Sequence, residues 1–96
     1  MKIPKKLKIG AHIFKVKYFN REAKDLNDNL GSCNCVKCEI VINSDPNISV
    51  SQQEETLLHE ILEALNYNYQ LKLSHESLSI IAEGLYQVLK DNKLLK

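Results

Sequence analysis

The apolar residues of this chain change their period once, and that change limits the fold more than any other feature. From Lys6 to Phe19 they return at every second position: Leu7 and Ile9 alternate with Lys6 and Lys8, then Phe14, Val16 and Tyr18 with Lys15 and Lys17. Alternation is the signature of a strand with one buried face. Gly10-Ala11 lies between the two sets and predicts a tight turn or a bulge. After Ser44-Asp45-Pro46-Asn47 the apolar spacing lengthens to that of a helix and keeps it almost to the end. Strands followed by helices make an α+β fold.

Between these halves, Asn20 to Gly31 is polar, with turn signals at Asn27-Asp28-Asn29 and Gly31, and Arg21 to Leu26 has the pattern of a short helical turn. Gly31 to Asn43 predicts a second pair of short strands. The clearer one, Lys37 to Asn43, puts Cys38, Ile40 and Ile42 on one face and Glu39 and Val41 on the other. Pro46 has no amide hydrogen for a ladder and ends it.

Ser51-Gln52-Gln53-Glu54 has the form of a capping box, so the first helix is predicted from Ser51 to about Tyr67, ended by Asn66-Tyr67-Asn68. On a helical wheel its core stripe is Leu57, Leu58, Ile61, Leu62 and Leu65, and His59 and Glu63 fall on the opposite flank with Gln52 and Asn66. The second helix is predicted over 74–92, with Leu78, Ile81, Ala82, Leu85, Val88 and Leu89 buried. His75, Ser79, Ala82 and Tyr86 run along one border of that stripe, and Glu83 points away.

Ninety-six residues without a repeat or a linker predict one domain, and the absence of tryptophan predicts an aliphatic core. Between Met1 and Lys24 eight Lys or Arg residues face one acid, Glu22, whereas Glu54 to Glu63 holds four acids and no base. Such asymmetry suits a nucleic-acid surface at the amino end. It equally suits a lysine-covered strand face that keeps a small protein soluble, the reading favoured here. No apolar run approaches membrane-spanning length, and the basic start leads into no uninterrupted apolar segment, so neither a membrane span nor a signal peptide is expected. Cys33, Cys35 and Cys38, an odd number within six residues, fit a reducing cytosol.

One stretch suggests a chemistry: His59-Glu60-Ile61-Leu62-Glu63. Residues four apart stack on one helix face, so His59 and Glu63 can reach a single ion. Glu60, rotated about 100° from His59, can hold a water beside it. The spacing is that of a helical zinc site, H-E-x-x-E in place of the familiar H-E-x-x-H. A catalytic zinc takes three protein ligands and keeps a position open. His75 or Glu83 can supply the third; the wheel favours His75, which looks back toward the first helix. Glu60 is then the candidate general base, and Tyr67, Tyr69 or Tyr86 a candidate oxyanion donor. The plainer readings are a solvated polar face for His59 and Glu63, a helix amino-terminal turn for His75-Glu76, and an ordinary strand residue for His12. Cys33, Cys35 and Cys38 are a rival metal site without a fourth ligand, more readily explained as buried thiols.

Gly10 with Ile13 to Tyr18, Leu30-Gly31, Glu39 to Asn43, Glu55-Thr56-Leu57-Leu58-His59-Glu60 and the tail Leu85 to Asn92 follow in an order that resembles small phage and mobile-element proteins. Those are similar to minimal zincin-type metallopeptidase domains of the ImmA/IrrE-like and SprT-like groups. The resemblance implies a mostly antiparallel sheet of three or four strands against the metal-bearing helix, with a second helix beside it. It further implies one zinc per chain, His59 as ligand, Glu60 as base, Glu63 as a changed ligand, and Glu39 to Asn43 edging a cleft that holds an extended peptide. The expectation is a zinc peptidase-like hydrolase in the cytoplasm of a bacterial host. Two alternatives stand beside it: a catalytically silent scaffold that binds a protein partner, and a nucleic-acid-associated factor using the basic amino-terminal face.

Overall fold

The structure, a computed structural model, describes residues 3–20 and 30–95. Its elements are β1 (Lys6–Ile9), β2 (His12–Phe19), β3 (Gly31–Asn34), β4 (Glu39–Asn43), α1 (Val50–Tyr69) and α2 (His75–Asp91). The helical turn expected over Arg21 to Leu26 lies outside the described residues.

β1 and β2 form a hairpin in which Leu7 sits opposite Phe14 and Ile9 opposite His12. Gly10 makes the turn, with a φ of +61° that glycine adopts without strain. The strand order is β1-β2-β4-β3. The four-stranded sheet is mostly antiparallel, as expected, but mixed: β2 and β4 pair in parallel at its centre while the two outer pairings are antiparallel. One correction follows: β4, expected to edge a cleft, is an interior strand, and β1 and β3 are the edges of the described sheet. The reason is in the side chains. Ile40 and Ile42 are fully buried, and a strand that buries its apolar residues this deeply belongs in the middle of a sheet. Cys38 leaves the strand alternation; it takes a φ of +56° in the turn before β4 while still packing against the core.

The core lies between the sheet and α1, formed by Ile9, Phe14, Val16, Ile40, Ile42, Leu57 and Ala64. Lys6, Lys8, Lys15 and Lys17 are exposed on β1 and β2 at the positions that alternate with this core. α2 packs on α1 and on no other described element, so the order of layers is sheet, α1, α2.

α1 begins two residues before the predicted capping box. Ser49 is its N-cap and accepts from the Gln52 amide, while the Gln52 side chain accepts from the Ser49 amide. The same S-x-x-Q/E pattern occurs twice in overlapping register, and Glu54 is not free to cap because it is buried and accepts a 2.5 Å hydrogen bond from the Tyr86 hydroxyl. The helix runs on past Asn66 to Tyr69 and is closed by Gln70 in the left-handed conformation, whose amide donates to the Asn66 carbonyl.

Both helical stripes are rotated from their predicted places. On α1 the buried residues are Glu54, Leu57, Glu60 and Ala64. Leu58 and Leu62 are half-buried, because a middle-layer helix divides its apolar surface between the sheet and α2. On α2 the buried residues are Leu78, Ala82 and Tyr86, whereas Ile81, Leu85 and Val88 are exposed. The border marked by His75, Ser79, Ala82 and Tyr86 is in fact the side turned to α1.

Candidate metal centre

α1 and α2 run antiparallel. Tyr86 near the end of α2 meets Glu54 near the start of α1, and His75 at the start of α2 meets Glu63 toward the end of α1. Helical spacing puts His59 and Glu63 on one side of α1, and the reversal between the helices delivers His75 to the same place.

One oxygen, Glu63 Oε1, lies 3.5 Å from His59 Nε2 and 3.1 Å from His75 Nδ1. The imidazoles meet edge to face, their centroids 4.7 Å apart and their planes at 74°. One ligand atom from each of the three residues lies within 4.8 Å of the others, so His59, Glu63 and His75 form a group that can hold a metal ion. Metal–nitrogen and metal–oxygen bonds of about 2.0–2.2 Å in tetrahedral geometry set ligand atoms about 3.3–3.5 Å apart. The two distances to Glu63 Oε1 lie near that value, and the wider separation within the 4.8 Å group must close for all three to hold one ion. Glu83 is exposed on α2 and forms no part of the group.

The surroundings of His59 favour ligation. Burial holds the His59 imidazole below its ordinary pKa, as does the nearby His75, against the opposing pull of Glu63. A neutral imidazole offers its lone pair. Ser79 Oγ lies 3.4 Å from His59 Nδ1. Accepting the Nδ1 proton there would hold the tautomer that leaves Nε2 bare.

Glu60 faces the sheet side of α1, only 6% exposed. Its Oε2 comes within 3.4 Å of where a Cβ on Gly31 would stand, which puts the carboxyl under the edge strand β3. Burial and the neighbouring Glu63 charge raise its pKa to about 7, with His75 opposing. A carboxyl poised there can take a proton at neutral pH and give it back.

Two residues that serve this site went unassigned from the sequence. Asn66 donates through Nδ2 to the Leu73 carbonyl and accepts through Oδ1 from the Leu73 amide, both at 3.0 Å. This pair clamps the linker two residues before His75 and sets where α2 begins. Ser79 is the other. Both lie on the polar borders drawn from the helical wheels, but neither wheel says how deeply the helices approach each other.

Of the tyrosines named from the sequence, Tyr86 is engaged with Glu54 and Lys90, and the Tyr69 hydroxyl lies over the Gly10 turn. Tyr67 alone remains as an exposed phenol four residues after Glu63, on the same side of α1. The cysteines do not assemble a second centre among the described residues. Cys33 and Cys35 sulfurs are 3.6 Å apart, and the Cys38 thiol donates to the Cys35 carbonyl. Burial first, then the contact with Cys35 and the charges of Glu60 and Glu63, push the Cys33 thiol far above its ordinary pKa. It stays a thiol in the metal-free protein.

No family model, curated protein or solved structure matches this chain. No described helix is long and apolar enough to cross a membrane.

Proposed function

We propose that this protein is a metal-dependent hydrolase, with zinc as the metal and a peptide bond as the target, acting in the cytosol of a bacterial host. The observation that carries the reading is the convergence of His59 Nε2 and His75 Nδ1 on Glu63 Oε1, with Glu60 one residue from a ligand. The resemblance to zincin-type domains supports the same assignment.

When bound, the metal would polarise a carbonyl and acidify a water. The chain supplies the rest. His59, Glu63 and His75 hold the ion, and Ser79 orients His59. Glu60 receives the proton of the attacking water and returns it to the leaving amine. An extended substrate would bind along β3, which ends the strand order of the described sheet, by strand addition. Tyr67 is the phenol best placed to donate to an oxyanion.

A second reading draws on one specific feature: the Glu60 carboxyl is buried beneath β3. On that reading the scaffold keeps the metal and binds a protein partner without chemistry. Zinc-loaded protein incubated with an unfolded protein substrate, with products read by mass spectrometry, separates the two. The hydrolase reading predicts cleavage that falls at least about a hundredfold in Glu60→Gln while zinc is retained. Zinc binding without cleavage by the wild type selects the silent scaffold.

A further inference from the structure

Among the described residues α2 has one neighbour. It packs on α1 through Leu78, Ala82 and Tyr86, and the rest of its circumference faces outward as the last layer. An outermost helix is normally polar on that side. This one carries an apolar stretch. At 100° per residue, Ile80, Asp91, Gly84, Ser77, Val88, Ile81 and Leu85 follow one another around an arc of about 140° that begins on the side opposite Ala82 and ends about 60° from it. Ile80 is 64% exposed, Ile81 42%, Leu85 39% and Val88 46%. The first charge to enter the arc is Asp91, the final residue of the helix. Contiguous exposed apolar surface of this kind marks an interaction site.

Gly84 sits within the arc. A Cβ there would meet no atom within 4 Å, so nothing in the fold asks for the missing side chain. Glycine in a helix interior is destabilising relative to alanine. A gap flanked by Ile80, Ile81 and Val88 is the shape that admits a second helix at close range.

We propose that this face joins two copies of the chain through an antiparallel α2–α2 contact crossing at Gly84. A two-fold axis there sets glycine against glycine and Ile80 beside Val88 of the second copy, so the patch complements itself. The axis brings Glu76, in the first turn of α2, to Lys93 of the second copy, just past the end of its helix. It also brings Asp91 to the amino-terminal turn of the second copy, where the helix dipole favours an acid and Glu76 opposes it. A parallel pairing would instead set Glu76 beside Glu76. The acids bordering the face, Glu76, Glu83 and Asp91, argue against an anionic membrane, which recruits amphipathic helices through flanking bases. The inference does not depend on the metal site.

Sedimentation of the purified full chain over a wide concentration range tests it. The mass is expected to rise from that of the 11.0 kDa protomer toward twice that value. Ile81→Glu/Val88→Glu replaces exposed side chains, so it is expected to keep the wild-type circular dichroism and thermal melt and to remain monomeric throughout. Gly84→Leu adds apolar surface but closes the gap, and is expected to weaken the dimer about tenfold or more. Glu76→Lys is expected to weaken it and Glu76→Lys/Lys93→Glu to restore it. A protein that stays monomeric up to about 1 mM, a dimer that survives Ile81→Glu/Val88→Glu, or one that Gly84→Leu strengthens overturns the proposal. So does binding of the wild-type chain to phosphatidylglycerol vesicles that depends on Ile81 and Val88.

Discussion

At Gly31 the edge strand β3 packs tightly on α1, and replacing the glycine with alanine tests how the site is held. A Cβ at this position would stand 2.5 Å from Thr56 Cγ2, 3.0 Å from the Val41 carbonyl oxygen and 3.4 Å from Glu60 Oε2. Carbon atoms in contact sit about 3.5–4.0 Å apart. Thr56 and the helix bearing it must therefore retreat by about 1 Å or the threonine must turn. Overpacking of this kind costs about 1–3 kcal/mol, against about 0.5–1 kcal/mol returned by the stiffer unfolded chain. The net loss of about 1–2 kcal/mol lowers Tm by roughly 5–15 °C for a domain this small. Thr56→Ser removes Cγ2 and keeps the hydroxyl that donates to the Gln52 carbonyl at 2.7 Å. In that background Gly31→Ala is expected to be nearly neutral, giving a coupling energy of about 1 kcal/mol or more in a double-mutant cycle. Urea denaturation of the four proteins provides the numbers. Equal destabilisation in both backgrounds, or none in either, refutes the proposed contact between β3 and α1.

Asn66→Ala removes both hydrogen bonds that hold the linker, and is expected to lower stability by about 1–2 kcal/mol and weaken zinc binding about tenfold, checked by thermal melts and metal titration. Tyr86→Phe takes the hydroxyl from Glu54 and is expected to cost about 1.5–3 kcal/mol. Burial pushes the Glu54 carboxyl up, but hydrogen bonding that includes Tyr86, with the Lys90 charge, holds it below its ordinary 4.5. Its stabilisation is thus present above that ordinary value and lost as pH falls through the folded one. The Tyr86→Phe variant should show a shallower acid loss than the wild type in denaturant melts at stepped pH. Glu60 has the opposite sign. Raised from 4.5 to about 7, it binds its proton more tightly folded than unfolded, so stability of the metal-free protein falls as pH rises between those values, by up to about 3 kcal/mol. Glu60→Gln is expected to remove that fall. A variant whose stability declines with pH as the wild type's does contradicts the burial of Glu60.

The helices were legible because each carries its own signal. Apolar spacing marked α1 and α2, and four-residue spacing marked His59 with Glu63. His75 was reachable because it begins α2 on the border that proves to face α1. The sheet was legible strand by strand but not in its order. Nothing local in Glu39 to Asn43 says that it pairs in parallel with β2, since that depends on how the chain between Asn20 and Gly31 returns. Helix faces were misjudged for a related reason. A wheel assumes one apolar side, whereas α1 lies between two layers and buries Glu54 against Tyr86 and Glu60 against β3. The exposed Ile81, Leu85 and Val88 on α2 read as core for the same reason. Their hydrophobicity was visible, and their exposure among the described residues was not.

The metal centre itself is tested most directly by zinc content. The wild type would be measured by elemental analysis after zinc loading and dialysis, beside His59→Ala, Glu63→Ala, His75→Ala and the variant with serine at Cys33, Cys35 and Cys38. One zinc per chain in the wild type and the serine variant, falling sharply in each of the other three, is the result expected from ligand atoms that lie within 4.8 Å of one another. Zinc retained by the His59, Glu63 and His75 variants but lost with the cysteines, or no zinc in any sample, contradicts the assignment.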